Sequence, residues 1–199
     1  MAGCVVYVHG RGGSASEAEH YRGLFKDFDV YGFDHKAQSL REASAEFPPY
    51  FNELRCRYDE IILIANSIGA YYSMYTLGEG VISRAFLISP VADMEGLIIG
   101  MMKACGVGEE QLRNEGIIPT PFGEELRWEE LCYVREHPPK PFAPTEILYG
   151  DGDELSSLEA VERLSRELNA GLTVMKGGEH WFHTPEQMAF LDNWISSLM

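Results

Sequence analysis

The sequence predicts an α/β domain: a mainly parallel sheet of about six strands, helices on both faces, and a small helical insertion after the fourth strand. Three observations carry that expectation. Short apolar, β-branched runs alternate with helix-patterned segments along the chain. The runs are short and largely apolar, as suits strands buried on both faces of a parallel sheet. Helix-capping signals stand between them. A length of 199 residues fits one domain spanning 1–199.

The first strand is read at 5–8 and ends in His9-Gly10, followed by Arg11-Gly12-Gly13. Ser14 and Glu17 have capping-box spacing and open a helix. The second strand is 28–33, and Ser39 with Glu42 marks the helix after it. The third strand, 61–65, runs straight into Asn66-Ser67-Ile68-Gly69 and a further helical pattern. The fourth strand is 85–89. Between Asp93 and Pro144 no strand is legible, while 94–105 and 128–136 pattern as amphipathic helices. HPPKPFAP, residues 137–144, reads as a stiff return linker. The segment 93–144 is therefore expected to be a helical cap or lid insertion, with an ordinary two-helix crossover as the alternative. Strands five and six are read at 146–149 and 172–175. Ser156 with Glu159 is the capping pattern ahead of Leu158, Val161, Leu164 and Leu168. Thr184 with Gln187, and Pro185 at the first helical position, start a last helix with Met188, Leu191, Ile195 and Leu198 on one stripe.

Composition narrows the function. Sixteen Lys and Arg against 31 Asp and Glu leave a net charge of −15, which repels phosphate backbones and anionic membranes, so no nucleic-acid partner is expected. No run approaches the roughly 18 apolar residues of a membrane span, and no membrane insertion is expected. The opening MAGCVVYVHG has no basic leader and reads as a strand instead of a targeting signal. Cys4, Cys56, Cys105 and Cys132 contain no C-x-x-C pair, so they are read as free thiols in a cytoplasmic protein. HGRGG lacks the Gly-Lys-Ser/Thr ending of a phosphate loop, the dinucleotide fingerprint is missing, and no His or Cys cluster has metal-ligand spacing. No cofactor and no metal are expected. Oligomeric state is not legible.

The chemistry concentrates at strand ends. Ala65-Asn66-Ser67-Ile68-Gly69 is a strand, tight turn and helix with serine at the apex, a G-x-S-x-G pattern with Ala in the first glycine position. Small flanking residues suit a turn so sharp that strand and helix nearly touch. Ser67 is either an activated nucleophile or a helix N-cap. The glycines after strand one can turn backbone N–H groups toward a developing oxyanion, or form a plain strand-end turn. Asp151 and Asp153 follow strand five, and His180 and His183 follow strand six. The order Ser, Asp, His along successive strand ends puts all three at the carboxyl edge of the sheet, where open α/β sheets hold ligands.

HGRGG, ANSIGAYYS, YGDGDEL and GGEHWF, each at its strand end, together resemble the α/β-hydrolase superfamily over essentially the whole chain, and within it a compact bacterial serine hydrolase. The resemblance implies that Ser67 is the nucleophile. It implies that His180, following the Gly177-Gly178 turn, is the general base, with His183 as competitor. His9 is similar to the histidine that shapes the family's oxyanion loop. Gly150, three residues earlier, selects Asp153 as the orienting acid, with Asp151, Glu154 and Asp93 as alternatives. The oxyanion donors would be the backbone N–H groups of Ile68 and Arg11, and the Arg11 guanidinium is either solvated or a substrate-carboxylate partner. The implied activity is cleavage of a small carboxylic ester or thioester, a small-molecule substrate, through an acyl-enzyme. The alternatives are a catalytically silent binding or regulatory protein on the same fold, and a peptidase or lyase using the same triad. Ala65 departs from the family pattern. Met101, Met102, Phe122, Trp128, Tyr133 and Trp181 are core packing or the lining of an apolar pocket.

Overall fold

Six of the apolar runs form one sheet in which every neighbouring pair is parallel. The computed structural model describes residues 3–199. Met1 and Ala2, which open the segment read as a strand instead of a targeting signal, lie outside the described residues. In chain order the elements are β1 (Gly3–Val8), a 3₁₀ helix (Ala15–Gly23), β2 (Asp29–Phe33), α1 (Leu40–Arg55), β3 (Glu60–Asn66), α2 (Ile68–Thr76) and β4 (Arg84–Ile88). There follow α3 (Met94–Cys105), α4 (Glu109–Glu115), β5 (Ile117–Pro119), β6 (Glu125–Arg127), α5 (Trp128–Glu136), β7 (Thr145–Gly150), α6 (Leu158–Leu168), β8 (Gly171–Met175) and α7 (Pro185–Leu198). They divide into two compact units, Met1–Ala92 with Pro139–Met199, and Asp93–Pro138.

The first unit holds the sheet, in the order β2-β1-β3-β4-β7-β8. From β1 the chain steps outward to β2, then returns to place β3 on the other side of β1. That reversal opens a crevice at the carboxyl ends of β1 and β3, the position where α/β sheets bind ligands. Alternate side chains serve opposite faces. Val5, Tyr7, Ile62, Ile64, Phe86, Ile88 and Leu148 pack with Ala18, Tyr21 and Phe25 around the 3₁₀ helix and with Leu191, Trp194 and Ile195 of α7. Val6, Val8, Leu63, Leu87 and Ile147 are fully buried on the other face, where α1, α2 and α6 lie. Each such side chain contributes about 1.5–3 kcal/mol on burial. Pro48 and Pro49 sit inside α1 and remove two amide donors. The helix persists because Ala43, Phe47 and Phe51, on its inner stripe, are fully buried.

Helix starts follow the sequence with three corrections. Ser14 and Glu17 form their capping box, but the helix they open is 3₁₀ in form. Ser39 accepts the Glu42 N–H, while the Glu42 carboxylate reaches the Gln38 N–H and leaves that of Ser39. Before α6 the cap is Ser157, accepting from the Ala160 N–H, and not Ser156. Leu158 correspondingly leaves the buried stripe, with Val161, Leu164 and Leu168 buried. Thr184, Gln187 and Pro185 cap α7 as expected.

The second unit departs most from expectation. The two helices at 94–105 and 128–136 are present, but α4 and an antiparallel hairpin of β5 and β6 stand between them. The strands are three residues each, too short for periodicity to register. A turn at 120–124 joins them, with the Thr120 N–H donating to the Glu124 carbonyl at 2.7 Å and Gly123 at φ +82°. The unit ends at Pro138, so residues 139–144 belong with the sheet. Arg135 fastens its helices together. Nε donates to Glu95 Oε1 at 2.7 Å, and Nη1 and Nη2 reach the Glu109 carboxylate at 3.0 and 2.6 Å.

Candidate active site

Ser67 sits between β3 and α2 at φ 53°, ψ −119°, in the left-handed half of backbone space that a non-glycine residue occupies only at a cost. The turn is that sharp because α2 starts against the end of β1. A Cβ on Gly69 would lie 2.5 Å from the His9 carbonyl oxygen and 2.9 Å from that of Val8, so only hydrogen fits. Ala65 pairs in register with Val8 on one side and Leu87 on the other, fully buried, and the elbow accommodates its methyl. The Ser67 N–H donates to the Ile88 carbonyl at 3.0 Å. Ser67 stands at the N-cap position of α2, its carbonyl accepting the Tyr71 N–H, but its hydroxyl makes no capping bond to the helix.

The hydroxyl is engaged elsewhere. Ser67 Oγ lies 2.8 Å from His180 Nε2, and His180 Nδ1 lies 2.7 Å from Asp153 Oδ2. A carboxylate only accepts, so Nδ1 carries the imidazole hydrogen and Nε2 is left as acceptor for the serine hydroxyl. The Asp153 side chain is 0% exposed. Its second oxygen accepts the N–H groups of Leu155 at 2.7 Å and Ser156 at 3.2 Å. The buried carboxylate therefore has three donors, as a buried charge requires.

The other candidates lie apart from this chain of bonds. Asp151 is exposed and accepts the Gly177 N–H. Glu154 is exposed. Asp93 caps α3 through the Gly96 N–H. His183 Nδ1 bonds the Trp181 carbonyl at 2.7 Å, and its ring stacks on the Trp181 indole. Trp181 itself is 63% exposed, one residue from His180.

The loop after β1 lies against the serine. Gly10 O accepts the Gly13 N–H at 3.2 Å, and Gly12 has φ +75°. Positive φ in the third place makes this a type II turn, which glycine alone fills without strain. A Cβ on Gly10 would stand 3.0 Å from Ser67 Cβ and 3.7 Å from Oγ. Arg11 and Ile68, the two residues expected to supply oxyanion donors, thus directly follow the two residues in contact. Glu17 anchors the far side of the loop, accepting from Ser14 N–H and from the Tyr7 hydroxyl at 2.5 Å. Burial raises the Tyr7 phenol, keeping it a donor.

Two supporting residues escaped the sequence. Ser156 is buried, its hydroxyl donates to the Pro90 carbonyl and accepts the Ala92 N–H, and its carbonyl accepts the Tyr149 hydroxyl. It ties the acid loop to the exit of β4. His35, on the loop after β2, donates to the His9 carbonyl. Both act across long stretches of chain that no local pattern joins. Among the described residues no group of three or more His, Cys, Asp or Glu side chains could hold a metal ion, and no helix is long and apolar enough to cross a membrane.

No protein-family model matches the sequence, and no curated protein matches it. Solved structures do. Est1E from Butyrivibrio proteoclasticus superposes with a TM-score of 0.75 at 16% identity, over 100% of this chain and 87% of its own; it has also been solved with ferulic acid bound. The mouse alpha/beta hydrolase domain-containing protein 10 gives 0.66 at 13% identity, over 98% and 88%. The esterase Est2 from Thermogutta terrifontis, bound to propionate, gives 0.64 at 15% identity, over 99% and 84%. The chain has the α/β-hydrolase fold.

Proposed function

We propose that this protein is a serine hydrolase that cleaves a small carboxylic ester or thioester through an acyl-enzyme on Ser67. The observation that carries the proposal is the unbroken run of bonds from Asp153 Oδ2 through His180 to Ser67 Oγ, at 2.7 and 2.8 Å. A serine hydroxyl is a weak nucleophile near neutral pH and needs a base in contact. In this reading His180 Nε2 takes the hydroxyl proton as Oγ attacks the acyl carbonyl. Asp153 holds the tautomer and stabilises the imidazolium. The backbone N–H groups of Ile68 and Arg11 receive the tetrahedral oxyanion, each worth about 3–4 kcal/mol in the transition state. His180 then protonates the departing alcohol or thiol, and water releases the acid by the same route. No cofactor enters any step. The esterases among the fold's neighbours support an ester as the substrate class.

The test is labelling with a fluorophosphonate, with mass spectrometry to locate the adduct. Wild type is expected to carry it on Ser67 and to hydrolyse a panel of esters and thioesters graded by acyl length. Ser67→Ala should lose the adduct and about six orders of magnitude in kcat. Folded wild-type protein that neither labels nor hydrolyses any member of the panel would overturn the reading.

A further inference from the structure

We propose that His35 is a positioning residue that aims the Arg11 backbone N–H at the oxyanion, acting through His9 from a different strand end. The inference rests on the reading of Ser67 as nucleophile. Its starting point is the peptide joining Gly10 to Arg11. No cis peptide bond is present among the described residues, so the Gly10 carbonyl and the Arg11 N–H point in opposite directions from one rigid plane. Whatever fixes the carbonyl fixes the N–H.

Two donors fix that carbonyl: the Gly13 N–H at 3.2 Å and His9 Nδ1 at 2.9 Å. The turn supplies the first. The second depends on the orientation of the His9 ring, and His35 sets it. The two imidazoles stack with centroids 4.3 Å apart and planes 15° from parallel. His35 Nε2 meanwhile donates to the His9 carbonyl at 3.1 Å. His35 is thus bonded to the His9 backbone and stacked on its ring at once. It is itself held by Phe33, Phe47 and Tyr72, whose rings surround it at 5.2–6.1 Å.

The choice of histidine at 35 is informative. The residue is 6% exposed and His9 is 9% exposed. Carbonyl oxygens only accept, so the hydrogens sit on His35 Nε2 and His9 Nδ1. The remaining nitrogens, His35 Nδ1 and His9 Nε2, are buried without a hydrogen-bond partner. Packing alone would be served better by phenylalanine, which has no nitrogen to strand. What histidine adds is the Nε2 donor. Burial keeps the His35 imidazole below its ordinary value, so the neutral form that makes this bond is the resident one at neutral pH.

The experiment uses three proteins, wild type, His35→Phe and His35→Gln, each checked for folding by circular dichroism and thermal midpoint. Phe keeps a ring and loses the donor. Gln places an amide nitrogen the same number of bonds from Cα and keeps it. Two quantities are read: the amide resonance of Arg11 in ¹⁵N-labelled protein, and kcat and KM for 4-nitrophenyl acetate. The expected result is a displaced Arg11 resonance in His35→Phe, with kcat about 10- to 100-fold lower and KM within about twofold. His35→Gln should restore most of both. An unmoved Arg11 resonance in His35→Phe overturns the proposal, as does an equal loss of kcat in both variants. If wild type shows no serine chemistry, the nucleophile reading falls, and the Arg11 resonance still decides the brace: displaced in Phe and restored in Gln upholds it, and unmoved in Phe ends it.

Discussion

Asp153 and Asp151 stand two residues apart with different surroundings. The side chain of one is fully buried with three donors, including His180 Nδ1. The other is exposed and caps a turn through the Gly177 N–H. Asp153→Asn would present an amide to Nδ1 and favour the wrong imidazole tautomer. We expect it to lower kcat by about four orders of magnitude with the circular dichroism spectrum unchanged, while Asp151→Asn should stay within about tenfold. His35 gives a residue-scale expectation for stability. Its folded form resists protonation, whereas in the unfolded chain it binds a proton near pH 6.5. The unfolded state therefore holds more protons as pH falls below about 6.5, and the His35 contribution to stability declines over that range. Urea unfolding at pH 7.5 and pH 5.5 should show wild type losing more stability than His35→Gln. Ser67, Asp153 and His180 were legible because each stands beside a strand end with its own local signature. Ser156 and His35 were not, because their meaning lies in contacts with residues 66 and 26 positions away.

At the scale of elements, the elbow depends on one close approach. Gly69→Val would drive two methyl groups into the His9 and Val8 carbonyls and push α2 off β1. We expect insoluble or unfolded protein, measured by expression and circular dichroism. The three helices of the Asp93–Pro138 unit depend on something softer. Arg135 holds Glu95 and Glu109 from an exposed position, where solvent and salt weaken ion pairs. Arg135→Met should speed amide exchange in α3, α4 and α5 with β1 to β4 unaffected, and the difference from wild type should shrink in 1 M salt. The main strands were legible to within one residue at most ends because the central ones are buried apolar runs, while the edge strands β2 and β8, only partly buried, still carry β-branched and aromatic residues between turn signals. The β5–β6 hairpin was not, since a three-residue strand cannot display a period. Nor was the exchange of Ser156 for Ser157 as the α6 cap: Ser156 has the Glu three residues on that the capping box requires, but its N–H is taken by the Asp153 carboxylate and its hydroxyl by Pro90 and Ala92, contacts no local pattern shows.

For the molecule as a whole, the parallel α/β architecture followed from alternation of strand and helix, but the strand order β2-β1-β3-β4-β7-β8 did not. Order is a matter of which buried strands meet, and six similar apolar runs do not announce their neighbours. That order matters because it brings the turn after β1 beside the serine after β3. The backbone at that serine, φ 53°, bears on the entire folding equilibrium. Glycine would occupy it without strain, and alanine would not. Strain of this kind is worth about 1–3 kcal/mol, against about 0.5–1 kcal/mol for the extra freedom glycine gives the unfolded chain. Ser67→Gly should accordingly melt at a higher temperature than Ser67→Ala in differential scanning calorimetry, though neither carries the hydroxyl. The hydroxyl is thus held at a backbone position that glycine would fill with less strain. A search that ranked variants by heat resistance alone would favour glycine over alanine at the apex of the elbow and discard the oxygen that His180 Nε2 touches.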